Sequence, residues 1–143
     1  MSPTRNRRSF LVQAAALTLT APALLHHGAQ AAVANPPRID WDATPVRLMM
    51  VESKGCIYCE AWQREIGPGY PLSSEGRAAP LLPIDIDGPW PDGLALERRP
   101  TITPTFILLR RGVELTRLEG YPGDQFFYPA IALMMTRAGI PTG

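Results

Sequence analysis

Apolar residues along this chain gather in short runs, and glycine and proline punctuate the gaps between them. Val46 to Glu52, reading Val-Arg-Leu-Met-Met-Val-Glu, is apolar over strand length, the form of a buried strand. Cys56 to Ile66 has helical character and is closed by Gly67-Pro68-Gly69, a strong helix stop. Residues 67–80 read as loop, since Pro68, Pro71, Gly76 and Pro80 interrupt them. Leu81 to Ile86 is a second buried strand, ending at Asp87-Gly88-Pro89. A proline-rich crossover follows, with one helical turn expected around Asp92 to Glu97. Thr105 to Leu109 and Val113 to Leu118 are the third and fourth strands. Between them Arg110-Arg111-Gly112 supplies a tight turn, with glycine where positive φ is needed.

Gly120-Tyr121-Pro122-Gly123 breaks the chain again, and Asp124 fits the N-cap of a last helix. There Phe127, Ile131, Met134 or Met135, and Ala138 share one face of a 3.6-residue period, and Gly139 with Pro141 forms the exit. Pro129 lacks an N–H and is expected to loosen the helix start. The order is β-α-β followed by β-β-α. A crossover between parallel strands and a closing hairpin predict an α/β fold, a central mixed sheet with helices on both faces.

The first thirty-four residues have a different pattern. Arg5, Arg7 and Arg8 precede a mostly apolar stretch from Phe10 to Leu25, too short for a spanning helix but suited to a secretory signal. Small residues follow in the A-x-A arrangement, at Ala29-Gln30-Ala31 and Ala32-Val33-Ala34. The string Asn6-Arg7-Arg8-Ser9-Phe10-Leu11 resembles a twin-arginine export signal; a general secretory signal and an uncleaved anchor are the alternatives. The expected organisation is a cleavable signal over 1–34, an extended leader over 35–45, and a domain over 46–143. No later apolar stretch approaches membrane length, so the mature chain is expected to carry no membrane span. Export places it in the periplasm, an oxidising compartment.

Charge sharpens this picture. Of 143 residues, 14 are basic and 13 acidic, which gives no polyanion-binding signal and makes nucleic acid an unexpected partner. His26 and His27 are the only histidines, and both precede Asn35. Without residues 1–34 the chain has no imidazole, which excludes histidine triads and histidine-ligated metal sites.

Two cysteines remain as candidate chemistry, in Cys56-Ile57-Tyr58-Cys59. A C-x-x-C after a strand and opening a helix has the spacing of dithiol redox chemistry. The first sulfur lies at the helix N-terminus, where free N–H groups and the macrodipole favour thiolate. Cys56 is therefore the expected attacking sulfur, and Cys59, one turn further, the resolving one. Such exchange needs no metal and no bound cofactor. A structural zinc lacks two of its four ligands. A purely structural disulfide would close a loop too short to stabilise much. A binding module without turnover, a carrier of a soft cation such as Cu(I) or a regulatory protein, stays open as a rival function. A second signal is Ile102-Thr103-Pro104-Thr105-Phe106, where proline precedes a buried strand and a cis bond is one way to begin it.

Together, the C-x-x-C after the first strand, Thr103-Pro104-Thr105 before the hairpin and Gly120 before the last helix resemble the thioredoxin family. The resemblance covers about Val46 to Ala138. It implies a thioredoxin-like fold, a cis Pro104 beside the cysteines, and backbone pairing of Thr103 with a substrate peptide. Arg64-Glu65-Ile66-Gly67-Pro68, Glu75 to Leu81 and Glu119-Gly120-Tyr121-Pro122-Gly123 are similar to a short periplasmic branch encoded with bacterial sulfur-oxidation (Sox) systems. That branch implies a thiol–disulfide oxidoreductase keeping a sulfur-carrier protein reduced; in an oxidising compartment it needs electrons from elsewhere, and a membrane thiol-reductant donor is the natural source.

Departures from ordinary thioredoxin are local. Gly55 replaces a tryptophan and Ile57-Tyr58 replaces Gly-Pro. Met50 stands where a buried aspartate is usual. Glu52, on the same strand face, either substitutes for that acid or is an exposed charge at the strand end. Ile57, Tyr58, Thr103 and Tyr121 are candidate substrate-contact residues. Trp41, Trp62 and Trp90 are read as packing, and Arg98-Arg99 and Arg110-Arg111 as solvated turns.

Overall fold

The structure, a computed structural model, describes residues 35–142. The export-signal reading falls on residues 1–34, outside the described residues. Strand β1 is Val46–Glu52, followed by helix α1, Ile57–Glu65. A 3-10 turn, Tyr70–Leu72, and the short helix α2, Ser74–Ala78, precede strand β2, Leu81–Asp85. Strands β3, Thr105–Arg110, and β4, Val113–Glu119, form the hairpin, and helix α3, Asp124–Arg137, closes the chain.

The four strands make one mixed sheet in the order β2-β1-β3-β4. β1 runs parallel to β2, with Leu48 opposite Leu81, and antiparallel to β3, with Leu48 opposite Leu108. The hairpin turn has positive φ at both central residues, Arg111 (50°) and Gly112 (79°), the geometry of a type I′ turn. A Cβ at Gly112 would also collide with the Gly93 carbonyl oxygen.

Alternation along β1 divides the core into two layers. Leu48 and Met50 face Trp62 of α1 and Ile66 at its C-cap, Tyr70, and Phe127, Ile131 and Met135 of α3. Met49 and Val51 face the other way, with Leu82, Ile84, Ile107 and Leu109. The α/β class and mixed sheet match the sequence reading; the second layer differs. Helices were expected on both faces, yet the second face is covered by irregular chain, through Ile39, Trp41, Ile86, Trp90, Leu94 and Leu96.

Four local expectations are corrected. Residues 67–80 contain the 3-10 turn and α2 rather than loop alone. Asp92 to Glu97 forms no helical turn; Ala95 instead makes a parallel bridge to Val113. β2 is an edge strand with alternating burial, not a fully buried one, and Pro83 is exposed on it, a position where a missing N–H is tolerated. The N-cap of α3 is Gly123 rather than Asp124. Positive φ at Gly123 aims its carbonyl at the Phe127 N–H (3.0 Å), and the Asp124 carboxylate accepts from the Gln125 N–H (2.8 Å). Pro129 lies inside α3 on its exposed side, and the helix runs through it unbroken.

Candidate functional site

The site grows from the end of β1. After Glu52 the chain turns through Ser53-Lys54-Gly55, with φ of 70° at Gly55, and enters α1 at Cys56. Open space surrounds the position where a Gly55 side chain would begin. Cys56 is the N-cap of α1, in extended conformation, and its Sγ accepts from the Cys59 N–H at 3.1 Å. The sulfur thus takes the place of the usual capping oxygen and receives one of the orphan N–H groups of the first turn. Cys56 is half-buried, while Cys59 is 4% exposed. The two are joined by a disulfide across 5.2 Å between Cα atoms.

Ile57 and Tyr58, the dipeptide between the cysteines, are 68% and 60% exposed. Met50 is fully buried, in the same core layer as Cys59. Glu52 is half-buried, and its Oε2 accepts from Gln63 Nε2 of α1 at 3.1 Å. The carboxylate therefore has a helix partner, which sets it apart from a free strand-end charge.

Before β3 lies the second expected feature. The Thr103–Pro104 bond is cis and Pro104 is buried. Thr103 meets the cysteine loop directly, its Oγ1 lying 2.9 Å from Ser53 Oγ. The Pro104 carbonyl accepts from the Gly120 N–H at 2.8 Å, and Thr105 Oγ1 donates to the Ile102 carbonyl at 2.6 Å. Tyr121 is half-buried: its ring packs on Phe127 and its hydroxyl donates to Glu65 Oε2 at 2.7 Å. Desolvation first, and then that carboxylate, push the Tyr121 hydroxyl well above the ordinary tyrosine range.

Cys56, Cys59, Ile57, Tyr58 and Thr103 are thus gathered around one junction, and Pro104 lies next to Thr103 in the chain. Trp62 is buried in the first layer, and Trp41 and Trp90 pack on the second. The arginine pairs are less free than expected. Arg98 bonds Glu119, Arg99 lies 4.9 Å over the Trp90 ring, and Arg110 donates to the Ala138 carbonyl. Sequence reasoning missed Ser53, whose partner is 50 residues away. It also missed a second cis bond, Gly88–Pro89.

A disulfide capping a helix, with Cys56 half-buried and the loop before it bonded through Ser53 to a cis-proline loop, defines a thiol–disulfide oxidoreductase. No protein-family model matches this sequence, and neither does any curated protein. Among solved structures the chain is similar to the periplasmic thioredoxin SoxS from Paracoccus pantotrophus in its reduced form. The two are 50% identical, over 65% of this chain and 98% of that one, with a TM-score of 0.63. A match to the thioredoxin Mala s 13 of Malassezia sympodialis has 17% identity over 63% of this chain and 75% of that one, with a TM-score of 0.41. The chain belongs to the thioredoxin family, and its substrates are protein thiols and disulfides. Among the described residues no helix is long and apolar enough to cross a membrane.

Proposed function

We propose that this protein is exported and works in the periplasm as the reductase of a specific protein disulfide. The observation that carries this is the Cys56–Cys59 pair capping α1 beside the Thr103–Pro104 loop, in a chain half identical to a periplasmic thioredoxin. The cleavable signal lies within residues 1–34 and is cut after Ala31 or Ala34, so the mature chain begins at Ala32 or Asn35.

In the reduced protein the Cys56 thiolate attacks one sulfur of the partner's disulfide. A mixed disulfide forms and the partner's other sulfur leaves as thiolate. Cys59 then loses its proton and attacks Cys56 Sγ, which releases the second partner thiol and closes the Cys56–Cys59 bond. Two electrons and two protons pass to the partner, and a membrane thiol donor restores the dithiol. Thr103 offers backbone to the partner segment, with Pro104 beside it, and Ile57 and Tyr58 supply an apolar rim. Resemblance to the sulfur-oxidation branch supports a sulfur-carrier protein as the partner.

Mixed-disulfide trapping tests this reading. Cys59→Ser, expressed in the periplasm of sulfur-oxidising cells, should hold the carrier through Cys56. Recovery of a broad set of secreted proteins refutes the specific partner, and trapping only by Cys56→Ser reverses the assignment of the two sulfurs. In the reduced protein Cys56 should be alkylated before Cys59 and titrate below about 8.5. A midpoint near about −270 mV fits a reductant, and one near about −120 mV an oxidant.

A further inference from the structure

The stretch that delivers Thr103 to the cysteine loop, residues 86–104, contains no helix and no strand. Its course is set instead by β4. The Ala95 N–H donates to the Gly112 carbonyl and the Glu114 N–H to the Ala95 carbonyl, both at 2.9 Å. Two residues on, the Glu97 N–H donates to Glu114 Oε2 at 2.9 Å. Arg117 then clasps the assembly. It gives Glu114 two hydrogen bonds of 2.6 Å, and its Nη2 also donates to the Arg98 carbonyl at 2.8 Å. The side chains of Arg117 and Glu114 are only 8% and 5% exposed. Arg98 returns a bond to Glu119 at 2.6 Å, and Glu119 lies opposite Thr105. Gly120 holds the Pro104 carbonyl.

The residues from Arg99 to Thr103 therefore run between an anchor on β4 and one just past its end, and Thr103 itself also meets Ser53. Arg117 lies opposite Ile107 and faces the second layer, so it is not among the reacting groups. We infer that Arg117 is a positioning residue for substrate recognition: its clasp on Glu114 and the Arg98 carbonyl sets where Thr103 meets an incoming protein chain. This rests on the reading of Thr103 as the backbone that pairs with substrate. A bidentate guanidinium holding two acceptors on different segments is a geometric device that an ammonium does not reproduce.

The test separates recognition from chemistry. Arg117→Lys, and the double variant Glu114→Gln with Arg117→Met, are compared with the parent, using dithiothreitol as donor. The double variant removes both charges together, which buried pairs often tolerate without unfolding. Turnover of insulin, a protein disulfide, is set against hydroxyethyl disulfide, which has no chain to pair. The expected result is a rise in KM for insulin, with kcat/KM lower by about 10- to 100-fold. The hydroxyethyl disulfide rate and the Cys56/Cys59 midpoint should stay within about twofold of the parent. An unchanged insulin KM in folded variants overturns the inference, as does an equal loss on both substrates. Pro104→Ala is the control on the underlying reading. If it raises the insulin KM and the Arg117 variants do not, only the role of Arg117 falls. If it too leaves KM unchanged, the substrate role of the Thr103 loop falls with it.

Discussion

Tyr70 closes a stretch of chain that glycine and proline mark as a break. It is fully buried, its ring packs against Trp62 and Phe127, and its hydroxyl donates to the Ala79 carbonyl at 2.9 Å. Desolvation, reinforced by the nearby Glu75 and Tyr128, pushes that hydroxyl far above its ordinary range, so it remains a neutral donor at any working pH. Tyr70→Phe keeps the ring and strands the Ala79 carbonyl. The expected loss is about 1–3 kcal/mol, read as a lower urea midpoint with an unchanged m-value. The same corner explains Gly76, whose Cβ would collide with the Tyr70 carbonyl oxygen. From sequence, Gly76 looked like a loop residue, because glycine signals flexibility and close approach with the same letter. The cysteine pair was legible for the opposite reason: its partners lie three residues apart, and the helix start that activates them is local. The Ser53–Thr103 contact joins residues 50 apart, and no local pattern announces it.

At the scale of elements, the strands were legible and the crossover was not. β1 was placed to the residue, since an apolar run bounded by Pro45 and Gly55 leaves little choice of ends. The helical turn expected over 92–97 failed because Leu94 and Leu96 alternate, an extended period, and because Ala95 finds its partners on β4. That pairing depends on a carboxylate with an altered acidity. Burial alone would push Glu114 up; hydrogen bonds from Arg117 and the Glu97 amide, together with the charges of Arg117 and Arg98, outweigh it and hold Glu114 below the ordinary glutamate range. Such a group adds stability that is fully present above its unfolded value, about 4.3, and disappears as pH falls through the lower folded value. Glu114→Gln should therefore be less stable than the parent at neutral pH by about 3 kcal/mol, since Glu119 still lies 3.7 Å from Arg117. Urea melts from neutral to acid pH should show the two proteins converging as Glu114 of the parent takes up its proton. A gap that persists after Glu114 of the parent has taken up its proton would mean that lost packing, not charge, sets the difference.

At the scale of the whole molecule, what matters is how the second sheet face is closed. Chain regarded from sequence as an extended leader, residues 35–45, has no regular structure, yet it forms part of the core. Ile39 and Trp41 pack on the second layer, and Trp41 Nε1 donates to the Asp92 carbonyl at 3.0 Å. A Cβ at Gly93 would press on the Trp41 indole, and one at Gly112 would approach it closely, so two turns are shaped around this side chain. The sequence offered little warning, because Pro36 and Pro37 suppress any periodic signal and two apolar residues make no pattern. With irregular chain covering this face, each apolar contact bears a larger share of its burial. Trp41→Ala should cost about 1.5–3 kcal/mol from lost burial, and a chain beginning at Pro45 should lose this together with the contribution of Ile39. Thermal melts should rank the parent above Trp41→Ala and Trp41→Ala above the truncated chain. The truncated chain should also bind more of a hydrophobic dye, since Met49, Val51 and Ile107 lie in the layer the leader covers. If truncation leaves the melting temperature unchanged, Trp90, Leu94 and Leu96 suffice to close the face, and the domain begins at β1 as the sequence pattern alone suggests.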